Sequence, residues 1–429
     1  MTALRAAAAA ILAALIPAAA LAAAPPAVVE LGGARAYVRA DERAPLAHLE
    51  LIVRAGLDRE GDRQDGLAAL VAQVLLRTPV EGVALEDAIA GAGGAITFAV
   101  TPQAIRIALD APSDRMAAIT PALARVLAAP AFDAAALSAA RAALGERIAD
   151  EQRDPRLVGI AMLRASRYRG GAGLSPLGSA SALASLSPQD AGAFFARWYV
   201  RGGALVSSVG LSSAAAEAAG RQLIAAIPPG AAAPTPVTVR PFGAQPKRIV
   251  THRDGLAVPS VVVGFAAPSF GERDFAPALV VRALLSDVLE RDSSATLPVY
   301  RRTVATIYSF ETTPSQLTVW INGAKVEPST GLAALDAVLK RASVQLVNPD
   351  TLTRAKDEAR GAWALDGQTT DARAWMTAIA VARGLDPGYS DGVGDAIAHV
   401  TAADVKRVAA AYFRKFDVAL ILPREAPQR

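Results

Sequence analysis

The sequence predicts an α+β protein in which one structural unit is present twice. Strand patterns with alternating apolar residues are followed by amphipathic helical patterns in both halves of the chain. A helix-capping pair, Ser187 and Asp190, recurs 214 residues later as Thr401 and Asp404. A stretch rich in proline, alanine and glycine, 228–246, lies between them and is typical of a linker. Duplication of an α+β unit explains all three observations.

The composition excludes several classes of function. The chain has 429 residues, and its 44 basic and 40 acidic side chains give a net charge of +4. Both signs are interspersed without a basic run, so nucleic acid is not an expected partner. The chain has no cysteine, which excludes disulfides and thiolate metal sites. It also contains no P-loop, so nucleotide chemistry is not indicated.

Residues 1–24 are predicted to be a secretory signal peptide. Arg5 supplies a positive amino-terminal region, an uncharged alanine-rich stretch follows, and Ala22 and Ala24 offer small residues for cleavage before Pro25. The alternative is an uncleaved anchor, because the uncharged run is nearly long enough to span a bilayer. Cleavage would leave no membrane span and an exported, periplasmic protein.

The first half opens with short alternating strands and then a buried helix. The predicted strands begin at Val28, Ala34 and His48, and helical spacing of apolar residues runs from Gly66 to Pro79. The further predicted elements are a short helix 85–92, strands 96–100 and 104–110, a helix 115–128 kinked at Pro121, a long helix 133–153 closed by Asp154-Pro155, a capped helix reaching Tyr199 and a strand 204–209.

The second half repeats these elements at offsets between 213 and 215 residues. The corresponding positions are Trp198-Tyr199 with Tyr412-Phe413, the strand from Ala204 with that from Val418, Leu137 and Arg141 with Leu352 and Lys356, and the strand from Ala104 with that from Leu317. Near-constant offsets favour duplication over chance similarity. The chain is therefore predicted to divide into a signal peptide 1–24, a first domain 25–230, a linker 231–246 and a second domain 247–429.

The order of these elements resembles the insulinase and pitrilysin family of zinc peptidases, which includes mitochondrial processing peptidase. The similarity rests on the G-L-A opening of the helix at Gly66, the pair Gly93-Gly94, the long helix ending at Asp154-Pro155, the aromatic pair at Trp198-Tyr199, and the second copy. The resemblance implies two tandem α/β-sandwich domains, each an antiparallel-rich sheet packed by helices, in a clamshell arrangement.

In active members of that family, His-x-x-Glu-His on the first helix supplies two zinc-binding histidines and a general-base glutamate, and a second glutamate on the later long helix is the third zinc ligand. The matching positions here hold Ala69, Ala72 and Gln73, and only Glu146, matching the third ligand, is retained. Alanine has no lone pair to donate, and a glutamine amide is a poor zinc ligand. The resemblance therefore implies no metal in this chain and no hydrolysis by it alone. Glu146 also has an ordinary interpretation, as a solvated charge on a helix.

A second family feature matches Arg301 and Tyr308, seven residues apart in the second half. In active enzymes such a pair hydrogen-bonds the substrate backbone and the carbonyl under attack. A guanidinium and a phenol can both donate to an oxygen that becomes negative in the transition state. Arg302 is the alternative arginine, and a surface arginine with a packed tyrosine is the structural alternative for the pair.

Loss of the zinc ligands with retention of the Arg/Tyr pair predicts a non-catalytic, substrate-binding subunit of a heterodimeric periplasmic metallopeptidase. Its partner would be a homologous subunit that carries the zinc, and its substrates would be peptides. One alternative is a structural or peptide-binding scaffold with no role in proteolysis. Another is a self-sufficient metallopeptidase with relocated ligands.

Overall fold

A computed structural model describes most of the chain. The described residues are 25–41, 45–61, 63–233, 237–243, 246–256, 258–291, 299–307, 315–323, 336–337, 339–340 and 343–424.

Six strands form the first sheet, in the order β1-β2-β8-β3-β7-β6. They are β1 (Ala27–Glu30), β2 (Arg35–Arg39), β3 (Leu46–Val53), β6 (Ala95–Val100), β7 (Ile105–Pro112) and β8 (Ala204–Val209). Neighbours are antiparallel except for the parallel pair β2 and β8. A separate short hairpin pairs β4 (Pro79–Val80) with β5 (Val83–Ala84).

The second sheet has five strands in the order β11-β12-β10-β13-β9. They are β9 (Arg248–Arg253), β10 (Ser260–Ala267), β11 (Val299–Ile307), β12 (Ser315–Gly323) and β13 (Phe416–Pro423). Only β9 and β13 run parallel. Strand for strand this order matches the first sheet from β2 to β6, so both predicted copies of the unit are present.

The helices of the first half lie before β6, between β7 and β8, and after β8 in the chain. They are α1 (Leu67–Arg77), α2 (Leu85–Gly91), α3 (Met116–Ala128), α4 (Ala134–Arg153), α5 (Pro155–Arg167), α6 (Ala180–Ser185), α7 (Pro188–Trp198) and α8 (Ser213–Ala226). Those of the second half are α9 (Phe275–Arg291), α10 (Pro349–Asp366), α11 (Thr370–Ala382), α12 (Val393–Ala398) and α13 (Ala402–Tyr412). Among the helices of the described ranges, none combines the length and the apolar character needed to cross a bilayer.

The predicted capping pairs both form, and they begin equivalent helices. The Ser187 hydroxyl accepts from the Asp190 backbone N–H, and the Asp190 carboxylate accepts from the Ser187 backbone N–H at 2.8 Å. Thr401 and Asp404 make the same reciprocal contacts, at 3.1 Å for the backbone N–H of Thr401. These contacts satisfy donors that a helix end leaves unpaired. Together with the two sheets, they confirm the predicted α+β fold class and its repeat.

Each half of the chain packs one of its helices against the sheet of the other half. Helix α5 follows the long helix α4 and packs on β10 and β13 of the second sheet, where Val158 and Leu163 join a small core with Val262. Helix α11 follows α10 in the same way and packs on β3 and β8 of the first sheet. There the Ser207 hydroxyl donates to the Ala374 carbonyl at 2.9 Å. The two halves therefore share a reciprocal interface.

The sequence prediction omitted both exchanged helices. It interpreted Asp154-Pro155 as the end of a helix, and Asp154 does end α4, but its carboxylate also accepts from the Arg156 backbone N–H at 2.8 Å and begins α5. Proline at the first helical position is favourable because its missing N–H would have no partner there. One residue thus caps two consecutive helices.

The described residues between α8 and β9 contain no helix, and one isolated bridge joins Val239 to Tyr168. Arg240 of this segment pairs with the buried carboxylate of Asp417, which also accepts from the Lys247 backbone N–H at 3.0 Å. Arg240 donates its backbone N–H to the Arg167 carbonyl at 2.6 Å. The segment is therefore fixed to both α5 and β13.

Candidate functional site

The helix face that matches the zinc motif is part of the hydrophobic core. Ala69, Ala72 and Gln73 lie on one side of α1, because residues three and four apart are neighbours on a helix. Ala69 and Ala72 are fully buried, and Gln73 is 4% exposed. Helix α1 packs on α4, α7 and β6. These three positions offer no ionisable ligand and are packed as ordinary core positions.

The amino end of this helix is held by a buried carboxylate that the sequence prediction missed. Glu60 accepts from the backbone N–H groups of Gly66 at 3.2 Å and Ala68 at 2.9 Å. Burial raises the pKa of Glu60 to about 8, although both hydrogen bonds act in the opposite direction.

Gly66 has a φ of 87°, and a Cβ on it would lie 2.8 Å from the Gly178 Cα. Only glycine fits that position.

Glu146 is exposed on α4. Its neighbour Arg147 places its guanidinium 4.5 Å from the ring centroid of Phe98, on the edge strand β6. Burial lowers the pKa of Arg147 while Glu151 raises it. A cation on an aromatic face is attracted by the ring quadrupole. Among the positions that match zinc ligands, Glu146 alone has a carboxylate, and the buried positions on α1 have none.

Arg301 and Arg302 lie on β11, the edge strand of the second sheet, as β6 is an edge of the first. Their backbones pair with Asn322 and Ile321 of β12, next to a bulge. For both residues the structure describes the backbone only, and Tyr308 lies outside the described residues. The proposed Arg/Tyr pair therefore remains a prediction.

A polar cluster lies where α11 meets the first sheet, on the described residues His48 and Glu50 of β3, Arg106 and Asp110 of β7, and Asp371 of α11. His48 Nδ1 is 2.8 Å from Asp110 Oδ1, and His48 Nε2 is 3.6 Å from Asp371 Oδ1 and 3.9 Å from Glu50 Oε2. Arg106 donates to Glu50 Oε2 and Asp371 Oδ1, both at 2.7 Å. Two sheet strands and one exchanged helix thus contribute to one charged network.

The network holds a proton on His48. Burial lowers the pKa of His48, but the hydrogen bond with Asp110 and the negative charges of Glu50 and Asp110 outweigh it and raise the pKa from its usual 6.5 to about 9. The imidazole and the Glu50 carboxylate are completely buried. A charged imidazole between carboxylates is therefore the favoured state near neutral pH.

This shift makes stability depend on pH. A pKa raised in the folded state stabilises the fold fully below 6.5, and the gain is lost as pH rises to about 9. We expect the wild-type chain to lose roughly 3 kcal/mol of unfolding free energy relative to His48→Gln between pH 6 and pH 9.5. Urea unfolding of both proteins at the two pH values, in a buffer that contains a chelator, measures this difference. An unchanged difference would contradict the assignment.

The sequence contained one local signal for this cluster. His48 and Glu50 alternate along an otherwise apolar strand, so they lie on the same face. Their partner Asp371 lies in the second half of the chain, and no local sequence pattern predicts that contact. The cluster also lies on a different element from the zinc-motif face of α1.

No family model and no curated protein matches the sequence. A peptidase M16 inactive domain from Pseudomonas fluorescens superposes with a TM-score of 0.77 at 18% identity, over 94% of this chain and 99% of that one. The chain has the fold of the M16 peptidases.

Two further structures with this fold have different described roles. A protease from Helicobacter pylori gives a TM-score of 0.79 at 14% identity, over 93% of this chain and 100% of that one. A chain of complex III2 from Candida albicans gives 0.75 at 15% identity, over 92% and 95%. The M16 fold confirms the resemblance to the insulinase and pitrilysin peptidases at the level of architecture. At these identities the likeness extends to the fold and no further.

Proposed function

We propose that this chain is the non-catalytic, substrate-binding subunit of a two-chain peptidase. The observation that carries the proposal is the zinc-motif face of α1: Ala69 and Ala72 are fully buried core residues and Gln73 is nearly so. A zinc peptidase needs three protein ligands and an open position for water. The zinc-motif face of α1 has no ionisable side chain, and it is buried. The shared fold with an inactive M16 domain supports the same reading.

The catalytic zinc would belong to a homologous partner subunit with an intact His-x-x-Glu-His motif. This chain would contribute Arg301, on the edge strand β11, and Tyr308. An edge strand can pair with an extended peptide, which aligns the scissile bond. The arginine and the phenol would then donate to the carbonyl under attack. The signal peptide proposed for residues 1–24 would direct this assembly to the periplasm.

The expected result of removing the pair is a loss of activity in the reconstituted complex. Arg301→Ala or Tyr308→Phe should lower kcat/KM by roughly 10²–10³-fold, because one transition-state donor is lost. Peptide cleavage by the complex with a zinc-bearing partner measures this, with Arg302→Ala as the matched control. Cleavage that is indifferent to both substitutions would overturn the role of the pair. An equal loss in the control would assign the role to Arg302 as well.

The partner can be identified with a tagged copy of this chain. Recovery of a homologous protein with His-x-x-Glu-His from the cell envelope supports the two-chain peptidase. The second candidate, a scaffold without a role in proteolysis, is favoured by the complex III2 chain that shares this fold. Recovery of a stoichiometric envelope assembly without any zinc-motif subunit would favour the scaffold and contradict the peptidase.

A further inference from the structure

The polar cluster between β3, β7 and α11 has the donor set of a metal centre. His48, Glu50 and Asp371 each offer one ligand atom, and these atoms lie within 4.8 Å of one another. The measured separations from His48 Nε2 are 3.6 Å to Asp371 and 3.9 Å to Glu50. Tetrahedral zinc with bonds of about 2.0–2.1 Å places its ligand atoms about 3.3 Å apart. Small side-chain movements would bring all three atoms to that spacing.

A second observation points to a ligand in this position. Within the described part of the chain, His48 Nε2 and Glu50 Oε1 are buried and have no hydrogen-bond partner. A buried polar atom without a partner costs about 1–3 kcal/mol. Nε2 faces the two carboxylates that could share a cation with it. A bound ion would give His48 Nε2 the partner that it lacks.

The other ring nitrogen of His48 is already held as in known metal centres. Its Nδ1 is 2.8 Å from Asp110 Oδ1. Metal-bound histidines almost always donate their second N–H to a carboxylate or carbonyl, which fixes the tautomer and leaves the other nitrogen free to bind. Asp110 would therefore be an orienting residue and not a ligand.

The charges also favour a divalent cation. A bound metal would displace the Nε2 proton that His48 carries near neutral pH, and the carboxylates of Glu50, Asp110 and Asp371 with the guanidinium of Arg106 would then leave two net negative charges. One divalent ion brings this to zero. Arg106 is the resident competitor, since it donates to the same Glu50 and Asp371 oxygens. Its guanidinium lies 4.2 Å from the Trp375 ring centroid, so it can remain stacked there after it releases a carboxylate.

We propose that His48 Nε2, Glu50 and Asp371 bind a divalent first-row ion of the zinc class, which fastens α11 to the first sheet. The preference for zinc over calcium follows from the imidazole ligand. Two of the three ligands, His48 and Glu50, are fully buried in the first sheet, and the third, Asp371, comes from the exchanged helix α11. The site is therefore structural, and it is separate from the catalytic zinc that the partner subunit would supply.

The test is an equilibrium titration of the purified, chelator-treated full chain with zinc chloride, followed by calorimetry and tryptophan fluorescence. We expect one ion per chain, a fluorescence change that Trp375→Phe removes, and weaker binding at low pH because protons compete for Nε2. Asp371→Asn should weaken binding roughly 100-fold or more, and Asp110→Asn about 10–100-fold. Arg106→Gln should tighten it, because the competing cation is gone.

The control variants are His252→Ala and His399→Ala, which remove the other two histidines of the chain and should leave binding unchanged. Asp371 is half exposed, so Asp371→Asn keeps the test valid if His48→Ala does not fold. If neither the wild type nor Arg106→Gln binds zinc, the proposal is wrong, and the cluster is an ion-pair network without a metal. Binding that survives in Asp371→Asn would overturn it as well. Peptidase assays of the reconstituted complex test the proposed function separately.

Discussion

Ala72→Glu is expected to lower the free energy of unfolding by roughly 3–5 kcal/mol, since it places an unpaired carboxylate in the core. The position is that of the general base in the active peptidases that the sequence resembles. In this chain Ala72 is fully buried among the apolar residues of the first half. Restoring one member of the motif would therefore damage the fold and would not recreate a site.

Urea unfolding of Ala72→Glu and wild type measures this loss. Ala139→Glu is the matched control, because Ala139 is an exposed position inside α4, and we expect a change within about 0.5 kcal/mol there. A variant Ala72→Glu as stable as wild type would show that this face reaches solvent. The loss of the zinc ligands would then have left an accessible cleft.

Gly159→Val is expected to destabilise the chain by about 3 kcal/mol, because it overpacks the contact of α5 with the second sheet. A Cβ at Gly159 would lie 2.3 Å from Val262 Cγ2, 2.8 Å from Val262 Cβ and 3.0 Å from Ile421 Cδ1. The two contacted residues are fully buried on β10 and β13, so they have little room to move. The helix must shift away from the sheet.

Gly145 is the matched control for this substitution. It lies inside α4, and a Cβ there would meet no atom within 4 Å. Gly145→Ala should stabilise the chain by about 0.5–1 kcal/mol, because alanine is the better helix former. Thermal and urea unfolding of both variants measure the contrast. Equal effects at the two positions would mean that α5 does not pack closely on the second sheet.

The elements with a local signal were predictable from the sequence. The alternation in β3, the apolar spacing in α1 and the capping pairs at Ser187 and Thr401 are all determined by neighbours within a few residues. Helices α5 and α11 were not predicted. The Asp154-Pro155 pair can end one helix or begin another, because both roles use the same residue types. The local sequence alone therefore does not show that α5 begins there.

The same distinction between local and tertiary signals applies to the zinc-motif positions and to the polar cluster. The absence of ligands at positions 69, 72 and 73 is evident from the sequence alone. Their complete burial depends on how α1 packs against α4 and β6, which is a tertiary property. His48 and Asp371 are far apart in the chain and meet only because α11 crosses to the other half. Glu60 likewise gains its role from the fold, by capping a helix that begins after it.

The exchange of α5 and α11 makes the two halves of the chain depend on each other. A single copy of the repeat would leave one face of its sheet uncovered and one helix with nowhere to pack. Two identical copies would solve both problems through a twofold-symmetric pair in which each lends its helix to the other. The two halves of this chain are packed in that way, so each half needs the helix of the other to cover its sheet.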